Sequence, residues 1–198
     1  MGEGRSTGGP GRRRKSIRLR DSDYAAPGAY FVTIVAHGRQ CLFGGVTQGN
    51  VLLSQFEKVV AEEWFRSAKL RWNVELHADE FVVMPNHVHG IVRIVDLAGA
   101  RHHSVGATGR SPLREIDQRP GGPAPGSLGA MVAGFKAAVT ARVNAMRGTA
   151  GRPVWQRNYH ERVTRTDTSL ARIRSYIMDN PKLWHLDREN PAGGGSTL

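Results

Sequence analysis

The stretch Met84-Pro85-Asn86-His87-Val88-His89-Gly90-Ile91-Val92 constrains the fold more than any other part of the chain. A β-strand sends alternate side chains to opposite faces, so His87 and His89 share one face while Val88, Gly90, Val92 and Ile94 share the other. The second set is apolar or small, as a strand lying on a core requires. Two adjacent imidazoles are costly inside a core and natural as a pair of metal ligands. Pro85-Asn86 is a turn signal that follows the apolar run Phe81-Val82-Val83-Met84. The pair is therefore expected at the mouth of a β-hairpin, on a central strand.

The apolar periods on either side fill in the architecture. Tyr30 to Ala36 is dense in β-branched and aromatic residues and reads as the first strand, with Gly38 and Gly44-Gly45 opening a loop after it. Leu53, Phe56, Val60 and Trp64 recur at helical spacing, which predicts a helix over roughly 52–69. Trp72 to Met84 alternates again, around a kink at Asp79, and the histidine strand covers about 87–95. Leu128, Met131, Val132, Phe135, Val139, Val143 and Met146 mark a second helix ended by Gly148. Val154 to Val163 reads as extended chain. A last helix carries Leu170, Ile173 and Ile177, opens near Thr166-Asp167-Thr168 and stops at Asn180-Pro181. This order predicts an α+β fold, a ferredoxin-like βαββαβ antiparallel sheet with helices on one face plus an extra C-terminal helix. The domain is expected over 21–190, between a basic disordered tail at 1–20 and a loose tail at 191–198. Within it, residues 96–127 hold ten Gly or Pro in thirty-two and no apolar period, so a long flexible loop is expected there.

Charge and cysteine content narrow the function. The net charge of +11 points to a polyanionic partner, although +6 of it lies in residues 1–20, on Arg5, Arg12, Arg13, Arg14, Lys15, Arg18 and Arg20 against Glu3. The single Cys41 excludes a disulfide framework and a cysteine zinc site, and fits a reducing cytoplasm. No apolar run approaches the roughly eighteen residues of a membrane span, and the charged N-terminus lacks the apolar segment of a secretory signal.

A strand His-x-His occurs in several chemistries, and the surrounding residues decide among them. A histidine-triad hydrolase wants a third histidine two residues on, where Ile91 stands. An amidohydrolase barrel needs about 250 residues. His102-His103 fall in the long loop and are expected to face solvent. The final helix offers more. Tyr176 and Asn180, four residues apart, share a helix face beside Ile173 and Ile177. An amide oxygen from Asn180 would add a third ligand to the two imidazoles, a nitrogen–oxygen set suited to Mg²⁺ or Mn²⁺. Tyr176 would then act as a nucleophile on a phosphate polarised by that metal. Tyr159 is the competing nucleophile; its i+4 position is Val163, not an amide, which favours Tyr176. His160 and Glu161 follow it as accessory candidates.

Three segments together resemble the REP-associated tyrosine transposases, which belong to the HUH single-tyrosine transposases of bacterial insertion sequences. They are Met84-Pro85-Asn86-His87-Val88-His89-Gly90, Trp155-Gln156-Arg157-Asn158-Tyr159 and Tyr176-Ile177-Met178-Asp179-Asn180-Pro181. The resemblance runs from about Lys15 to Pro191 and takes in Ser16-Ile17-Arg18-Leu19-Arg20 and Gly126-Ser127-Leu128-Gly129-Ala130. It implies a divalent metal held by His87, His89 and Asn180; relatives often carry Gln at the last position, so Asn180 is a shorter arm. It also implies that Tyr176 attacks single-stranded DNA beside hairpin-forming repeats, leaving a 5′-phosphotyrosine link and a free 3′-hydroxyl. The partner would be single-stranded or hairpin DNA in a bacterial, nucleoid-associated cytoplasmic setting, with the protein a monomer or a homodimer. Arg12, Arg13, Arg14 and Lys15 in the tail, with Arg157, Arg162 and Arg172 in the domain, are expected to position phosphates. The alternatives are a hairpin-binding protein that makes no cut and a nucleotide hydrolase that forms no covalent link.

Overall fold

The computed structural model describes residues 26–47, 50–96 and 122–191. The basic run Arg12 to Lys15, His102-His103, most of the long loop and the final tail lie outside these residues. Among the described residues, seven strands and three helices follow one another as β1 (Gly28–Val35), β2 (Gly44–Thr47), β3 (Asn50–Leu53), α1 (Gln55–Lys69), β4 (Val74–Glu75), β5 (Phe81–Val83), β6 (His87–Ile94), α2 (Leu128–Arg147), β7 (His160–Thr164) and α3 (Asp167–Asp179). The main sheet runs β4-β6-β1-β7, with β5 also paired to β6, and every pairing is antiparallel. The histidine strand β6 is thus central, as its two-sided burial requires. The expected α+β architecture with a βαββαβ order is present.

Strand alternation divides the sheet into two working faces. Val88, Val92 and Ile94 of β6 and Tyr30, Val32 and Ile34 of β1 pack on α1 through Val59, Val60 and Trp64, and on α2 through Leu128, Met131, Val132, Phe135, Val139 and Val143. The opposite face carries His87 and His89 of β6 with Phe31 and Thr33 of β1; Ile91, Ile177 of α3 and Trp184 are buried there. Helix ends obey local chemistry. Ser54 caps α1 by accepting from the Phe56 N–H, Ser127 caps α2 through Ala130, and Thr166 caps α3 through Ser169. Gly148 ends α2 at φ 65°, a left-handed conformation that glycine adopts without strain.

Two expectations need correction. Gly44–Thr47 and Asn50–Leu53 pair as antiparallel strands, β2 and β3, where the sequence predicts a loop running into a helix. Leu53 falls in phase with the α1 stripe because it lies three residues before Phe56; it belongs to β3, is exposed, and is cut off from the helix by the Ser54 cap. Met146 is likewise exposed at the end of α2, one turn beyond the last buried apolar position, Val143.

Gly90 is fixed by packing. A Cβ at this position would collide with the indole of Trp64, which is fully buried, stacked on Phe81 (4.8 Å between centroids) and edge-on to Phe135 (5.3 Å). The indole has nowhere to move. Gly90→Ala should lower stability by about 1–3 kcal/mol, the usual range for overpacking, read as a shifted urea midpoint at unchanged slope.

Candidate active site

His87 and His89 leave β6 on the α3 side and are almost entirely buried. Their Nε2 atoms face each other at 2.9 Å. The groups behind them fix how the pair is protonated. The Asn86 side-chain NH₂ donates to the carbonyls of Arg39 (3.1 Å) and Glu189 (2.7 Å), which orients its amide and leaves Oδ1 as an acceptor. That oxygen lies 2.9 Å from His87 Nδ1, so Nδ1 carries the proton and Nε2 presents its lone pair. His89 Nδ1 sits 2.8 Å from the Thr33 hydroxyl, its cross-strand neighbour on β1. Burial and the charge of His89 outweigh Asp187 and push the His87 pKa down to about 3, so the ring is neutral at neutral pH.

A carboxylate completes the cluster. Asp187, just past the 3₁₀ turn Trp184–Leu186, brings Oδ2 to 3.8 Å from His87 Nε2 and 4.0 Å from His89 Nε2. Burial raises its pKa, but the neighbouring histidines and the Glu189 N–H, which donates to Oδ1 at 2.7 Å, hold it below the ordinary carboxylate value. Its ligand atom and those of both histidines lie within 4.8 Å of one another. Asn180, at the C-cap of α3, is buried, and its Oδ1 has no hydrogen-bond partner among the described residues. Two imidazole nitrogens and an ionised carboxylate together fit a hard or borderline divalent cation.

Tyr176 approaches from α3, 44% exposed, with its hydroxyl 3.3 Å from His89 Nε2. Its ring is edge-on to His89 (5.1 Å) and to Phe31 (6.0 Å), while Phe31 stacks on His89 (5.4 Å). Burial and the Asp187 charge raise the Tyr176 pKa; the Asn180 side chain, bonding to the hydroxyl, pulls the other way. The hydroxyl is therefore protonated at rest, beside an amide placed to stabilise its anion.

The helix that carries Tyr176 is pinned to the sheet two residues earlier. Glu80, fully buried on the 3₁₀ turn Ala78–Glu80, accepts from Arg93 of β6 (Nε, 3.1 Å) and from Arg174 of α3 (Nε, 2.9 Å; Nη2, 2.7 Å). Burial alone would raise the Glu80 pKa, but the two guanidinium groups outweigh it and lower it. The carboxylate's contribution is thus present above its ordinary pKa and is lost as the pH falls through the lowered folded value. Glu80→Gln should cost about 3 kcal/mol, at the lower end for a broken buried pair because both arginines reach solvent. The acid limb of its pH–stability curve should also be flatter than that of the parent, by thermal melts at several pH values.

Tyr159 packs against the core of the α1/α2 face, with the Lys136 ammonium 5.7 Å from its ring centroid, so it is on the far side of the sheet from the histidines. Lys136 also donates to the carbonyls of Gln156 (2.9 Å), Arg157 (3.3 Å) and Asn158 (2.9 Å), which fixes this segment. His160 pairs with Thr33 and so shares the histidine face; Glu161 pairs with Val32 on the core face, with Oε2 buried and lacking a partner among the described residues. Arg162 pairs with Phe31 on the histidine face, and Arg172 lies one turn before Tyr176. Arg157 is exposed on the loop before β7. Trp155 is a core residue, tilted against Phe43 and Phe135, and is not available to stack on a base. Asp187, Glu80 and Thr33 escaped the sequence reading. Asp187 lies in an irregular segment with no period to mark it.

No family model matches the chain. An uncharacterized protein of Haemophilus influenzae is 35% identical over 176 residues, covering 88% of this chain and 92% of its own length. Among solved structures, a REP-associated tyrosine transposase bound to a REP hairpin superposes with a TM-score of 0.52 at 16% identity, over 83% of this chain and 73% of that one. The chain belongs to one family with the Haemophilus influenzae protein, and its fold is that of a REP-associated tyrosine transposase.

Proposed function

We propose that this protein is a metal-dependent transposase-type enzyme that cleaves and transfers single-stranded DNA at hairpin-forming repeats, with Tyr176 as nucleophile. The observation that carries the reading is the Tyr176 hydroxyl 3.3 Å from His89 Nε2, at the edge of a buried cluster of two histidines and an aspartate. The fold it shares with a transposase bound to a REP hairpin supports the choice of substrate. His87, His89 and Asn180 would hold Mg²⁺ or Mn²⁺, and Asp187 joins them by its position. When bound, the ion would supply Lewis-acid polarisation of the scissile phosphate.

The chain's own groups account for the rest. The Asn86 amide and the Thr33 hydroxyl keep both imidazoles oriented. The Tyr176 oxygen gives up its proton and forms a bond to phosphorus while the bond from phosphorus to the 3′ oxygen breaks. That oxygen takes a proton and leaves as a free 3′-hydroxyl, and the 5′ end stays on the tyrosine. The Asn180 side chain stabilises the phenolate during attack. One phosphodiester replaces another, so the link is reversible and competent for transfer.

Among the described residues no helix is long and apolar enough to cross a membrane. The test is covalent trapping: purified protein is mixed with labelled single-stranded hairpins taken from beside its gene, with Mn²⁺ or with chelator. A denaturation-resistant adduct that needs the metal is the expected result. Tight hairpin binding with no adduct would replace the enzyme by a binding module.

A further inference from the structure

A cleft of about 410 Å³ opens directly beside Tyr176, between β1, β7 and α3 on the histidine face. Its volume falls in the range of about 300–1,000 Å³ common to small-ligand pockets. Phe31 and Ile173 give it apolar walls, while His160, Arg162 and Arg172 stand around it and Tyr176 closes one end. Arg162 and Arg172 are exposed, and neither has an ion pair among the described residues. Arg174, two residues on, is by contrast held by Glu80. The acidic Glu161 also borders the cleft, but its pairing with Val32 carries its side chain to the other face of the sheet. Apolar walls under a pair of free guanidinium groups match the two halves of a nucleotide, a flat base and an anionic phosphate.

Resting on the strand-transfer reading above, we propose that this cleft seats the unpaired nucleotide next to the phosphodiester that Tyr176 attacks. Its base lies between Phe31 and Ile173, and its phosphate is held by Arg162 and Arg172. The subsite makes the enzyme demand single-stranded DNA at the cut, because a base paired in a duplex cannot enter. It also sets how far the scissile phosphate stands from the histidine cluster.

The test uses the full chain and a labelled hairpin with single-stranded flanks, bound in chelator so that no cleavage intervenes. Abasic sites are introduced one position at a time along the flanks. One position should weaken binding by about tenfold, and that loss should shrink in Ile173→Ala. Arg162→Ala and Arg172→Ala should each lower the salt dependence of single-strand binding by about 0.7 while leaving a blunt duplex unaffected. Tolerance of every abasic site, or equal losses on duplex and single strand, would overturn the subsite. A coupled position without a Tyr176 adduct would keep the subsite and remove the transfer reading, whereas an adduct without a coupled position would do the reverse. Absence of any single-strand binding overturns both.

Discussion

Tyr176→Phe is expected to abolish the covalent protein–DNA adduct and to reduce strand cleavage by at least about a thousandfold, the scale on which loss of a nucleophile is felt. The substitution removes one oxygen and keeps the ring. The edge contacts to His89 and Phe31 therefore persist, and α3 stays pinned through Arg174 and Glu80. Because Tyr176 is 44% exposed and its hydroxyl meets His89 Nε2 at a long 3.3 Å, beside the Asn180 side chain, stability should change by less than about 1 kcal/mol. Hairpin affinity and metal uptake should both survive, so the loss would be one of chemistry alone. Tyr159→Phe is the matched control. That ring lies against the core and under Lys136, so its variant should still form the adduct. An adduct lost in Tyr159→Phe and kept in Tyr176→Phe would reverse the assignment of the nucleophile.

His87→Gln should eliminate measurable Mn²⁺ binding, and activity with it, as followed by calorimetric titration. The imidazole is fully buried and supplies a lone pair that its tautomer, locked by Asn86, directs into the cluster. Its pKa near 3 means that protons do not compete for that lone pair at neutral or mildly acidic pH. Losing it removes a ligand outright, so the effect should exceed that of losing an outer partner. Asn86→Ala sets that scale: it leaves the ligands in place but frees the His87 tautomer, and should weaken the metal by about 10–100-fold. Asp187→Asn discriminates further. If the carboxylate belongs to the metal site, neutralising it lowers affinity; unchanged Mn²⁺ binding in this variant would remove Asp187 from the set.

How much of this could be read beforehand depended on whether a residue sits in a periodic element. β6 announced itself, because the alternation of His87 and His89 with Val88, Gly90 and Val92 leaves only one way to place the strand. Tyr176 and Asn180 were legible through the i, i+4 relation on an amphipathic helix. The β2–β3 hairpin was hidden because Gly44-Gly45 reads as a break and Leu53 falls in phase with the α1 stripe. Glu80 and Asp187 were invisible for a different reason. Each acts through partners far away in sequence, Arg174 and the two histidines, from short irregular turns where no local pattern distinguishes a working carboxylate from a solvated one. Asn86 lay in plain view beside His87, yet its role emerges only with the carbonyls of Arg39 and Glu189.

The second of those carbonyls ties the histidine turn to a segment 103 residues further along. The Glu189 carbonyl holds Asn86, Arg39 pairs with the Glu189 carboxylate at 3.1 Å, and Asp187 reaches the histidines from the same loop. A nascent or truncated chain that stops before Asp187 would therefore carry both histidines and the tyrosine, but not the carboxylate beside them or the carbonyl that orients their support. Assembly of the cluster of His87, His89 and Asp187 is thereby made conditional on nearly the whole domain having been synthesised and folded.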